Sequence, residues 1–160
     1  MKQIFHDNRA VATSVGFILT FSITVITFLL VMNASYNMME QSEQTVMREE
    51  FEIHGSNIAL QLTEMESLVN ITTNAGGEVG EIRYEILLPL KVANEYYYVE
   101  FVEFSDNDKE MIFESHGRDE TRVKIPFELR NVNIKNTTIN SASGEHFMLY
   151  NNTAKIIEIH

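Results

Sequence analysis

Between Ala10 and Met39 the chain carries no charged residue, and from Val11 to Met32 almost every position is an aliphatic, Phe, Met or a small hydroxyl residue. At ~1.5 Å rise per residue, this run of about 22 residues spans ~33 Å as a helix, matching a hydrocarbon core of ~30 Å. The pattern predicts a transmembrane helix over residues 11–32. A chain of 160 residues leaves little structure to cover such a segment on every side as a core helix. A cleaved secretory signal has a shorter apolar region, and Val31-Met32-Asn33-Ala34-Ser35 fits its cleavage site poorly.

Helical periodicity continues past the apolar run. Met47, Phe51, His54, Ile58, Leu62, Met65 and Val69 recur at steps of three and four, with Glu40 and Glu43 ahead of them and Glu49, Glu50, Glu52, Glu64 and Glu66 between them. This predicts an amphipathic continuation over residues 33–72, its apolar stripe reaching to about Val69. Asn74, Gly76, Gly77 and Gly80 then supply a helix stop and a loop over 73–80.

Residues 81–160 change to period two. Ile82, Tyr84, Ile86, Leu88 and Leu90 alternate with Arg83 and Glu85, and Val123, Ile125, Phe127 and Leu129 alternate with Arg122, Lys124, Glu128 and Arg130. Further strands are expected over 96–104, 110–113, 146–150 and 155–159, with Ser105-Asp106-Asn107-Asp108, His116-Gly117-Arg118-Asp119 and Ser141-Ala142-Ser143-Gly144 as turns. Pro126 cannot donate to a ladder, which assigns its strand to an edge or a bulge. The fold class that follows is α+β: a long amino-terminal helix, transmembrane and then amphipathic, packed on a carboxy-terminal antiparallel sheet or sandwich. A domain this small has a marginal core of its own. Met47, Phe51, Ile58, Leu62, Met65 and Val69 are therefore expected to dock against the sheet, each contributing at most ~1.5–3 kcal/mol.

Charge adds orientation. Lys2 and Arg9 precede the span against Asp7 alone, while the rest of the 12 basic and 23 acidic residues follow it. The positive-inside bias then keeps the leader, residues 1–10, in the cytoplasm and sends residues 81–160 outside, as a single-pass cell-membrane protein. A net charge of −11 argues against a nucleic-acid surface. With no cysteine, disulfides, thiolate metal sites and a cysteine nucleophile are excluded.

A basic leader, an apolar helix running into an amphipathic one, and a terminal β domain resemble the type IV pilin superfamily. Arg9-Ala10-Val11-Ala12-Thr13-Ser14-Val15-Gly16-Phe17-Ile18-Leu19 resembles the archaeal form of its amino terminus, although Thr13 stands where proline is expected and Val15 where bacterial members have glutamate. Arg48-Glu49-Glu50, Leu88-Pro89 with Val92-Ala93, and Val123-Lys124-Ile125-Pro126-Phe127 are similar to stretches of uncharacterised archaeal pilin-like membrane proteins. The resemblance implies a structural subunit without catalysis or cofactor, cut by a prepilin peptidase at Arg9, Ala10 and Val11. It further implies assembly with copies of itself or related pilin-like proteins. The alternative is an anchored binding or sensory domain that never assembles.

Ala12, Gly16, Thr20 and Thr24 form an i, i+4 column of small residues suited to close helix packing, set against the bland reading that such hydroxyls bond back to the preceding turn. His6, His54, His116, His146 and His160 lack the spacing of a helical metal site, and no metal is assigned. Asp106, Asp108 and Glu110 lack the glycine and distal glutamate of a calcium loop. Four sequons occur, at Asn33, Asn70, Asn136 and Asn151. The last three are placed in loops on the outer side, where glycosylation is possible.

Overall fold

The computed structural model describes residues 8–105, 108–117 and 121–160. The chain divides into two compact units, Met1–Ser42 and Glu43–His160. Among the described residues one helix occurs, α1 (Asn8–Asn74), which begins in the first and ends in the second. It closes on a glycine in the left-handed region, Gly76 at φ 76°. The N–H of Gly77 donates to Thr72 O and that of Gly76 to Thr73 O, both at 3.0 Å. This is the paired 6→1 and 5→2 bonding that satisfies carbonyls left over at a helix end, and the missing Cβ removes its steric cost. The helix therefore outlasts the expected boundary at residue 72 by two residues.

Among the described residues, eight strands follow within the second unit: β1 (Ile82–Ile86), β2 (Tyr97–Ser105), β3 (Asp108–Ser115), β4 (Arg122–Phe127), β5 (Asn133–Ile134), β6 (Thr137–Asn140), β7 (His146–Asn151) and β8 (Ile156–Ile159). They form two four-stranded sheets, ordered β1-β7-β8-β5 and β4-β3-β2-β6. An α+β fold with a β-rich carboxy-terminal part is thus what the chain adopts. β4 is an edge strand, so Pro126, opposite Glu110, withholds no ladder donor from a second neighbour.

Several strand expectations need correction, and β4 ends at Phe127 rather than Leu129. β1 stops at Ile86 rather than Leu90, because Pro89 and the turn closed by the Val92–Glu95 bridge interrupt the alternation. β5 and β6 were not expected. The sheets are also not wholly antiparallel, since β5 pairs β8 in parallel. The chain between those two strands makes an excursion through β6 in the other sheet, which lets them run the same way.

The second unit is organised around the helix stripe. Met47, Phe51, Ile58, Leu62, Met65 and Val69 are all buried in one cluster with residues of both sheets, among them Val99, Phe101, Met111, Phe113, Met148, Tyr150 and Ile157. The Phe51 ring lies 5.0 Å from that of Tyr97 on β2 and 5.2 Å from that of Phe113 on β3, both tilted, a favourable geometry for aromatic pairs. One turn later, Gly55 leaves no room for a side chain between helix and sheet. A Cβ there would stand 1.9 Å from Ile125 Cδ1 and 3.1 Å from Phe113 Cε2.

Buried polar groups tie loops to this core. Glu66 is buried on the helix, and its Oε1 accepts the backbone N–H groups of Arg130 and Asn131, each at 2.6 Å. Lys109 is buried on β3, with Nζ 3.2 Å from Glu103 Oε1, directly across the β2–β3 ladder, and donating to Leu129 O at 3.1 Å. Glu103 Oε2 in turn accepts the Ile134 N–H at 3.2 Å, so one carboxylate links the two sheets. A charge this deeply buried persists only when paired and hydrogen-bonded, as here.

Candidate functional site

The feature without a structural purpose inside the protein is the first half of α1. Every residue from Ala12 to Glu43 is exposed, Phe17 to 72% and Leu30 to 66%. Thirteen large apolar side chains are exposed between Val15 and Met32. At ~1.5–3 kcal/mol per side chain, leaving them in water forfeits on the order of 20 kcal/mol, more than a domain's whole net stability. Something apolar must cover them. α1 is long and apolar enough to cross a membrane once, near the amino terminus.

Local chemistry suits a low-dielectric setting. Thr20 Oγ1 donates to Gly16 O at 2.9 Å, Ser22 Oγ to Ile18 O at 2.8 Å and Thr24 Oγ1 to Thr20 O at 2.9 Å. Each hydroxyl is satisfied within its own helix, and the backbone groups are bonded along it, as lipid demands. Of the small-residue column, Thr20 and Thr24 thus take the back-bonding role, while Gly16 offers open space, with nothing within 4 Å of a Cβ placed on it. Ala12 is exposed on the same segment. Arg9, Ala10 and Val11 lie in the first turns of α1, whereas His6 and the leader up to Asp7 are outside the described residues.

The other sequence candidates are dispersed. His54 Nε2 lies 3.4 Å from Glu50 Oε2, one turn away on the helix. His54 also borders an open cleft of about 400 Å³ with Glu85, Leu88, Pro89 and Glu145. The rings of His116 and Tyr98 meet edge-on at 4.6 Å, and the Tyr98 hydroxyl bonds the imidazole. His146 Nε2 reaches Asn140 O, and His160 stacks on Phe147. Glu110 pairs with Lys124 at 2.9 Å, while Asp106 and Asn107 lie outside the described residues, as do Arg118 and Asp119. Among the described residues, no three His, Asp or Glu side chains converge as metal ligands would.

Of the Tyr96–Tyr98 run, Tyr97 points into the core, with its hydroxyl donating to Pro89 O at 2.8 Å. Burial, and secondarily the negative charge of Glu50, push its phenol well above the ordinary tyrosine range. Asn70 is not in a loop, as the sequence suggested, but in the last turns of α1. Asn151 closes β7, and Asn136 lies between β5 and β6. Gly55, Glu66 and the Lys109–Glu103 pair were missed by sequence reasoning. Gly55 alone left a trace, as a helix-breaking residue inside the apolar stripe.

The sequence profile of a family of unknown function, DUF7266, matches residues 6–159, so the chain belongs to that family. No curated protein and no solved structure matches it.

Proposed function

We propose that this DUF7266 protein is a non-enzymatic, pilin-like structural subunit of a cell-surface filament or pilus-like complex, anchored by the first half of α1. The observation that carries the reading is the division of labour within one helix. Its first half carries no charge from Ala10 to Met39 and is bare from Ala12 onward, and its second half forms the core of a β domain through Met47, Phe51, Ile58, Leu62, Met65 and Val69. Such a subunit has its amino terminus in the cytoplasm and the β domain outside. It is cut by a prepilin peptidase after Ala10 and assembles with copies of itself or related pilin-like proteins.

Assembly moves the apolar segment from lipid to contact with its neighbours, for which the open surface at Gly16 beside Ala12 and Thr20 is suited. The test is electron microscopy of material sheared from cells expressing wild type or Gly16→Leu together with the partner proteins, at matched membrane abundance. The added volume favours insertion, and the isolated helix has room for it. Filaments in wild type and none in the variant are expected. Equal filaments in both would refute the packing face, and absence from both would refute assembly.

A second reading is favoured by the hydroxyl geometry: Thr20, Ser22 and Thr24 are already satisfied within the helix and need no neighbour. On that reading the chain is a single-pass anchor for a binding or sensory domain, and Gly16→Leu changes nothing.

A further inference from the structure

We infer that Asn136 is the principal glycan acceptor of this protein and that Asn70 is not one. The inference rests on the extracytoplasmic placement of the β domain proposed above. An Asn-X-Ser/Thr acceptor is read through two side chains, the amide at the first position and the hydroxyl two residues on. At 3.6 residues per turn, side chains two apart on a helix point about 200° away from one another, whereas on an extended chain they share a side. Asn33 with Ser35 and Asn70 with Thr72 are both helical. Ser35 Oγ is moreover spent on Val31 O at 2.9 Å, and Asn33 Oδ1 accepts from Asn37 Nδ2 at 3.1 Å. Neither sequon can be read without unwinding α1. Asn151 is half-buried, and its Oδ1 accepts the N–H groups of Thr153 and Ala154 at 3.1 and 3.3 Å, folding that sequon onto itself between β7 and β8.

Asn136 differs in conformation and in exposure. It is exposed and enters the extended β6, with Thr138 exposed on that strand. Its Oδ1 accepts the Glu103 N–H at 2.9 Å, which fixes the plane of the amide. Among the described residues its Nδ2 donates to no partner, so the nitrogen is held and presented. In the transfer, Nδ2 attacks the anomeric carbon of a polyprenyl-phosphate-linked sugar. The N–C bond forms as the C–O bond to phosphate breaks, the polyprenyl phosphate leaves with the electron pair, and the displaced proton passes to a base on the transferase.

The position of β6 supplies an independent argument. It is one edge of its sheet, and β4 is the other. β4 guards its edge with Arg122, Lys124 and Pro126, while Thr137-Thr138-Ile139-Asn140 contains neither charge nor proline. Ser141 N–H donates to Tyr97 O, so by the alternation of an antiparallel ladder the backbone groups of Thr138 and Asn140 face away from β2. Asn140 O is taken by His146 Nε2 at 2.9 Å, leaving Thr138 on the open edge. An open edge is what another protein can grip by strand addition, so the sequon is accessible in extended form. A bulky glycan on Asn136 then shields that edge from pairing with further chains.

Glycopeptide mapping of the protein purified from its native membranes tests the assignment. A glycan increment on the Asn136 peptide and an unmodified Asn70 peptide are expected. Asn136→Gln and Thr138→Ala should each abolish that increment, and Thr138→Ser should retain it. A bare Asn136, or higher occupancy at Asn70 or Asn151, overturns the inference. A parallel Leu87→Cys variant separates the two ways of failing, since the chain has no other cysteine and Leu87 is 75% exposed. If a membrane-impermeant maleimide labels it on intact cells while Asn136 is bare, the glycan assignment alone falls. If it labels only after lysis, the extracytoplasmic placement falls with it.

Discussion

Gly55 stands where two physical terms of opposite sign meet, and Gly55→Ala measures their balance. In an open helix the change stabilises by ~1 kcal/mol through backbone entropy. Here the new Cβ would meet Ile125 Cδ1 at 1.9 Å, a separation that requires the isoleucine to move, with Phe113 Cε2 and Ile125 Cγ1 at 3.1 Å on either side. The clashing atom is the flexible tip of Ile125, which must turn aside within a core where Phe113 is fully buried, and such overpacking costs ~1–3 kcal/mol. The expected outcome is a net loss of about 0–2 kcal/mol. Ile125→Val deletes the clashing Cδ1 and by itself should cost ~0.5–1.5 kcal/mol. Combined with Gly55→Ala, the alanine methyl occupies the vacated space, and the pair should be ~1–3 kcal/mol more stable than the sum of the single changes. Urea unfolding of the full chain in mild detergent, followed by near-ultraviolet circular dichroism of the tyrosines, gives the four stabilities. Additivity within ~0.5 kcal/mol would refute the close approach of helix and sheet.

Leu62→Ala, at a site with no exposed surface, should lose ~2–5 kcal/mol in the same assay, while Leu60→Ala, 58% exposed, should change stability by less than ~1 kcal/mol. Glu66→Ala strands the N–H groups of Arg130 and Asn131 and should cost ~1–3 kcal/mol, with amide hydrogen exchange accelerated at those two residues first. Tyr97 gives a pH dependence of fixed sign. Its phenol keeps its proton in the folded chain at pH values where the unfolded chain releases it, so its contribution is complete below about pH 10 and declines as pH rises beyond that. Tyr97→Phe should remove that part of the alkaline decline, and an unchanged slope above pH 10 would contradict the burial of the hydroxyl.

The helix was legible because its apolar residues repeat at a period no strand shares, and the stripe from Met47 to Val69 is buried at each of its six docking positions. Pro126 marked an edge because its missing donor leaves few other places for it. β5 and β6 stayed hidden because Asn133–Ile134 and Thr137–Asn140 are short and rich in Asn and Thr; only Val132, Ile134 and Ile139 are buried there, too few to show a period. Lys109 and Glu103 read as surface residues because their pairing depends on register across β2 and β3, which local pattern does not encode. The sequons showed the reverse problem: the motif is visible at once, but whether it is helical at Asn70 or extended at Asn136 is decided by the fold.

Lys109 also changes how this protein would respond to reagents. Lys91 and Lys155 are exposed, so acylating agents meet them in the native state. The Lys109 amine is enclosed between Glu103 and the Leu129 carbonyl, so it becomes available only when β3 parts from its surroundings. Modification at that residue therefore counts openings of the domain rather than collisions with its surface. Measured against Lys91 in the same sample, it gives the frequency of unfolding in intact membranes, where spectroscopic signals from this one protein are inaccessible.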